Sequence, residues 1–311
     1  MKKVISLILC LCTSLFLLTA CSDVDKSNTE DAMGLLKKSS EFYNEIKNVK
    51  LDSEIESVMI YNDMFTGEPA ICGTTLDINS LMYNEPFRFT SEVLFTYDDT
   101  IVDGGVSYIM ENNTKTIQHG ISENDKISIY QNADEEWLRV DLSNEDFMLN
   151  DTLGLNYITN YDKYIKDGKI VGKEKIDDID IIKAEFTLNE EYVKIMFKKY
   201  GFEEFAKIID SANTDKAILD MMKGATFTVW FDENSDEIAK VEVNLTSLME
   251  TFRKIVIEDN KEHLSEEKYA YLNECADKIS IKNTIRFSNI DNNEDFKLPE
   301  EAKEAKVHGQ E

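Results

Sequence analysis

Hydrophobic residues along this chain change period several times, and each change predicts a new element. Residues 4–18 are an almost unbroken apolar run without charge. Ser27-Asn28-Thr29-Glu30 then reads as a capping box, a serine with a glutamate three residues on. Behind it Ala32, Leu35, Leu36, Tyr43 and Ile46 recur at helical spacing, which predicts an amphipathic helix over 28–48. "VKLDSEIESVMIYN" switches to period two, with Val49, Leu51, Ile55 and Met59 on one face and Lys50, Asp52, Glu54 and Glu56 on the other. A long strand follows from that alternation.

Strands are expected again over 73–83, 87–97, 105–111, 114–119, 126–131 and 136–141. Residues 150–166 read as a helix, and "KIVGKEKIDDIDIIKAEFTL" as two strands meeting near Asp177-Asp178. Asn189 caps a helical block that reaches Gly224, with breaks expected at Gly201 and near Asn213. "ATFTVWFDENSDEIAKVEVNL" predicts a hairpin turning at Asn234-Ser235. A charged helical stretch over 247–278 and a strand over 279–290 follow, and 304–311 is expected to fray. No Pro-, Gly- or Ser-rich linker interrupts the chain, so one domain is expected over 28–303, with 247–278 as a helical addition.

The first thirty residues carry the most specific signal. Lys2 and Lys3 precede the apolar run, which is the layout of a secretory signal. About fifteen apolar residues fall short of the roughly 20 that a spanning helix needs. The run ends in Leu18-Thr19-Ala20-Cys21, which resembles the bacterial lipobox. The resemblance to lipoprotein signal peptides implies that residues 1–20 are removed and that the Cys21 thiol accepts a diacylglyceryl group. Cys21 would then be the mature N-terminus, anchored on the extracytoplasmic face of the cell membrane. Two acyl chains, at ~0.8 kcal/mol per buried methylene, hold where one is marginal. The plainer alternative is an ordinary export signal with a chance cysteine at its end. Residues 21–29 form the expected tether, about eight residues that reach at most ~28 Å.

Further along, the N-terminal helix, the many strands, the central helical block, "VWFDENSDEIAKVEV" and "NEDFKLPEEA" together resemble lipoproteins with a LolA/LppX-like fold. Within that group the chain looks most like the uncharacterised lipoproteins of Gram-positive bacteria. The resemblance implies an α+β fold: a strongly curved antiparallel sheet, a half-barrel, with helices packed on its concave face. It also implies a space between sheet and helices that in better-known relatives holds acyl chains. Segments 63–75 and 247–278 look like additions to that pattern.

Charge narrows the partners. Without residues 1–20 the chain has 32 basic and 61 acidic residues, a net charge of −29. Nucleic acid and a polybasic membrane contact are both excluded as expectations, since each needs a basic surface. The block 192–222 offers Tyr192, Ile195, Met196, Phe202, Phe205, Ile208, Ile209, Leu219, Met221 and Met222. Methionine and aromatics can line an adaptable apolar cavity, and they equally suit an ordinary core under a sheet. Cys72 and Cys275 are the remaining thiols, an even pair that invites a disulfide in an exported protein. Two separate buried cysteines are the alternative.

Catalytic and metal chemistry find little support. "DENSDE" at 232–237 begins like a calcium loop, but it lacks the sixth-position glycine and has Val243 where a bidentate glutamate belongs. His119, His263 and His308 are scattered, and no nucleophile elbow, P-loop or dinucleotide fingerprint is present. No cofactor or enzyme activity is expected. Two readings remain: a membrane-anchored lipoprotein binding a lipid or other hydrophobic ligand, or an envelope interaction or sensor lipoprotein with a closed core and a protein or cell-wall partner.

Overall fold

The computed structural model describes residues 26–62, 69–103, 106–124, 126–133, 136–143, 158–191, 193–194, 207, 212–247, 250–251, 257, 261–274, 280–292 and 294–307. Helix α1 (Lys26–Glu45) leads into β1 (Asn48–Asn62), β2 (Pro69–Tyr83), β3 (Arg88–Asp103) and β4 (Val106–Glu123). Next come β5 (Lys126–Ala133), β6 (Glu136–Ser143), α2 (Tyr161–Tyr164), β7 (Ile165–Ile176) and β8 (Ile179–Leu188). The chain continues through α3 (Thr214–Met221), β9 (Thr226–Asp232), β10 (Ile238–Asn244), a 3-10 turn (Lys261–His263) and α4 (Glu266–Glu274). It ends with β11 (Ser280–Ser288), α5 (Glu300–Lys303) and β12 (Lys306–Val307).

Among the described residues all strands join one 12-stranded sheet, in the order β12-β6-β5-β4-β3-β2-β1-β11-β10-β9-β8-β7. Every pairing is antiparallel except the short parallel one between β12 and β6. The sheet is open, with β12 and β7 at its two ends.

Period-two alternation explains which face is buried. In β1 the odd positions Val49, Leu51, Ser53, Ile55 and Ser57 are buried, while Glu56 is exposed and Lys50, Asp52 and Glu54 are intermediate. Register carries this core face outward to Leu76, Ile78 and Met82 in β2, and to Ile281 and Ile285 in β11. Helix α1 lies on the same face: Tyr43 stacks 5.2 Å from Phe287, which pairs with Leu51. Its hydroxyl accepts from the Ile238 N–H at 3.1 Å, tying the helix to β10. Asn84, in the turn after β2, donates to the carbonyls of Tyr43 (2.7 Å) and Ile46 (2.8 Å), which the end of α1 would otherwise leave without partners.

Several expectations hold closely, and others need correction. The β7–β8 turn falls at Asp177 and Asp178, both with positive φ (48° and 68°), as a two-residue hairpin turn requires. Asn189 and Asn213 both act as caps, accepting from Glu191 N–H and Lys216 N–H. The capping box is not formed where expected, because α1 already begins at Lys26 and Ser27 lies inside it. One strand, β4, replaces the two expected over 105–111 and 114–119. Asn112 and Asn113 read as a turn in sequence, but they stay paired with Tyr97 and Thr96 of the similarly long β3. Of the helix expected over 150–166, residues 150–157 lie outside the described residues; 158–159 and α2 are helical, and the last two positions belong instead to β7, where Ile165 pairs with Leu188.

The expected fraying of 304–311 is corrected at Lys306 and Val307, which pair with Leu138 and Arg139. Described residues just upstream are also packed against the fold. Asn292 and Asn48 exchange hydrogen bonds (Asn48 Nδ2 to Asn292 O and Asn292 N–H to Asn48 Oδ1, both 3.0 Å), and Ala302 is fully buried.

Candidate functional site

The candidate site is the core face of the sheet. From β5 to β8 it is built of Ile127, Val93, Phe89, Ile78, Leu76, Ile55, Ile285, Val241, Val229 and Phe186, all buried. Toward β7 it closes tightly. Phe186 has the rings of Phe227 and Phe231 each 6.1 Å away, and Leu36 and Tyr43 of α1 are fully buried in the same cluster.

Of the residues expected to line a cavity, Met221 and Met222 are buried in this cluster, and Leu219 is partly buried against it. Tyr192, Ile195, Met196, Phe202, Phe205, Ile208 and Ile209 lie outside the described residues, as do Cys21 and Cys275. Cys72 sits in β2, in register with Met59 and Asp99.

Polar side chains interrupt the apolar face, and the sequence reading passed over them. Ser53 Oγ donates to Asn283 Oδ1 at 2.9 Å, Ser57 and Thr74 hydroxyls meet at 2.5 Å, and Ser80 and Ser91 at 2.6 Å. All six residues are buried. Asn283 Nδ2 has no hydrogen-bond partner among the described residues. The available signal was phase: Ser53 and Ser57 alternate with Leu51 and Ile55, so they share the apolar face whatever their polarity.

The opposite face is charged. Lys240 bridges Glu242 at 2.9 Å, and Lys282 reaches the same carboxylate at 3.3 Å. Burial alone would raise the Glu242 pKa, but the two ammonium groups outweigh it and hold it below the usual value. Trp230 is buried on this side beneath Lys240 and Lys183, whose nitrogens lie 4.0 and 4.9 Å from its ring, and its indole N–H donates to Glu174.

Two grooves lined by described residues lie away from the core face. One, of about 610 Å³, is walled by Lys47, Tyr83, Arg88, Glu294 and Phe296 among others. The other, of about 380 Å³, holds Asp52, Glu54, Asp77, Glu92 and Arg286. Among the described residues no cluster of three metal-binding side chains occurs. The calcium-like "DENSDE" is a hairpin turn in which Asp232 Oδ1 accepts from the Asn234 N–H at 2.7 Å.

His119 is buried on β4, its Nδ1 3.0 Å from Thr90 Oγ1 and its ring beside Trp137 and Phe296. Burial lowers its pKa below 6.5. The unfolded chain therefore takes up the proton first, so stability is full above the unfolded pKa and declines as pH falls through the lowered folded value. His119→Gln should flatten that decline, read as melting temperature between about pH 7.5 and about pH 5.

No protein-family model matches the chain. No curated protein matches it either. Among solved structures, the crystal structure of LprF from Mycobacterium bovis is similar with a TM-score of 0.41 and 9% identity, covering 88% of this chain and 98% of LprF. The Mycobacterium tuberculosis lipoprotein LppX gives 0.39 and 12%, covering 85% of this chain and 99% of LppX. Similarity at this level is too low to define a shared fold or a shared function.

Proposed function

We propose that this chain is a non-catalytic lipoprotein, anchored through Cys21 on the outer face of the cell membrane, that holds a lipid or similar hydrophobic ligand between its core face and its helices. The supporting observation is the broad apolar core face, which carries Phe, Met, Ile, Leu and Val on β1, β2, β3, β5, β8, β9, β10 and β11, with the Phe89 ring of β3 lying over Gly120 of β4. In this reading the sheet curves around the helices, of which α1 and α3 are buried against its core face. Uptake is driven by burial of acyl methylenes at about 25 cal/mol per Å². Among the described residues no helix is long and apolar enough to cross a membrane.

A second reading, an interaction or sensor lipoprotein with a closed core, draws support from the β7–β10 end, where Tyr43, Phe186, Met222 and Phe231 are at most 1% exposed. Titrating the lipid-stripped mature chain with an environment-sensitive fluorescent acyl glycerol, a neutral probe, separates the two. Saturable blue-shifted emission, displaced by unlabelled acyl lipid, is expected. A flat titration would refute the ligand-binding reading and leave the closed-core one.

A further inference from the structure

Asn283 sits in the middle of β11 on the core face, paired with Ile55 of β1 on one side and Val243 of β10 on the other. Ile281 and Ile285 flank it along the strand, and all four neighbours are buried. Its own exposure is 5%. The Oδ1 accepts from Ser53 Oγ at 2.9 Å, while Nδ2 has no partner among the described residues. A primary amide with an idle donor, set among isoleucines and valine, costs stability that a valine or leucine would not. Groups of this kind call for an explanation in ligand terms when they face a binding space.

We infer that the Asn283 amide is a polar subsite on the core face that donates to the carbonyl oxygen of a neutral acyl-ester lipid. This rests on the ligand-binding function proposed above and names the chemical class of the ligand. A pure hydrocarbon offers the idle N–H no acceptor. A fatty carboxylate would bring a buried charge to a place without a counter-ion: the buried polar residues among those described include no lysine or arginine, and Lys240 and Lys282 pair with Glu242 on the opposite face. An ester carbonyl satisfies the donor and adds no charge. With the amide reversed, the idle group would be the oxygen and the matching chemistry a ligand hydroxyl; the comparison below separates the two.

The test competes the fluorescent acyl glycerol from the lipid-stripped mature chain with two ligands of equal length, monopalmitoyl glycerol and hexadecyl glyceryl ether. They share headgroup and chain and differ only in the carbonyl. The ester should bind about ten-fold more tightly, the worth of one buried hydrogen bond. In Asn283→Leu that ratio should fall to about one, with ether affinity unchanged. Equal binding of ester and ether by the unsubstituted protein, or an ester preference kept by Asn283→Leu, would overturn the subsite while leaving ligand binding intact. Failure of both ligands would instead refute the ligand-binding function. Isotope-edited infrared of the bound ester carbonyl in the unsubstituted chain needs no variant to fold. A hydrogen-bonded carbonyl band is expected, and a band at the position seen in alkane solvent would overturn the assignment.

Discussion

Phe186→Ala should lower the free energy of unfolding by about 3–5 kcal/mol, read as a fall in the urea midpoint at unchanged slope. The ring is fully buried and has two phenylalanine neighbours, Phe227 and Phe231, at 6.1 Å each. Its bed is equally specific. A Cβ at Gly168 of the paired strand would stand 2.3 Å from Phe186 Cδ1, so the strand gives up a side chain to let the ring lie across it. Truncation therefore opens a cavity between the Gly168 backbone and the Phe227 and Phe231 rings, in a close-packed core that relaxes only in part. Leu94→Ala, at a site 36% exposed on the opposite face, should change stability by no more than about 0.5 kcal/mol. A Phe186→Ala loss as small as that of Leu94→Ala would mean that this end of the core is not packed as described.

Cys21→Ala carries the largest expected effect on location. Without the thiol there is no acceptor for the diacylglyceryl group, and the acyl methylenes that would each contribute ~0.8 kcal/mol in the bilayer are absent. The variant should leave the membrane pellet almost completely, while the unsubstituted protein stays in it through a high-salt wash. Retention of the variant in the pellet would sink the anchor. Helix α1 begins at Lys26, inside the stretch expected to be tether. Cys21 and the helix are then about five residues apart, a reach of at most ~18 Å. In the proposed function, a fold held that close to the bilayer would exchange lipid with it over a short path.

Much of the sheet could be read from the chain because strands such as β1 and β2 alternate between buried and more exposed positions and several turns carry the residues their geometry demands. Asp177-Asp178 and the "DENSDE" hairpin are of that kind, as are the asparagine caps at Asn189 and Asn213. What could not be read depends on partners distant in sequence. Asn112 and Asn113 look like a turn until β3 is seen to be long enough to pair with them. Lys306 and Val307 look like a loose tail until they reach the edge of β6. Ser53 and Asn283 are 230 positions apart, and nothing local to either marks them as a buried pair. Composition left the block 192–222 open between a cavity lining and an ordinary core. Of its named candidates three are described: Met221 and Met222 are buried in the core cluster, and Leu219 packs against it.

Native mass spectrometry of the protein released from its own membranes in mild detergent tests the central claim most directly. The account predicts the acylated mature chain carrying one further, non-covalent acyl lipid that dissociates on collisional activation. The acylated chain alone, with no retained lipid at the gentlest setting, would contradict it.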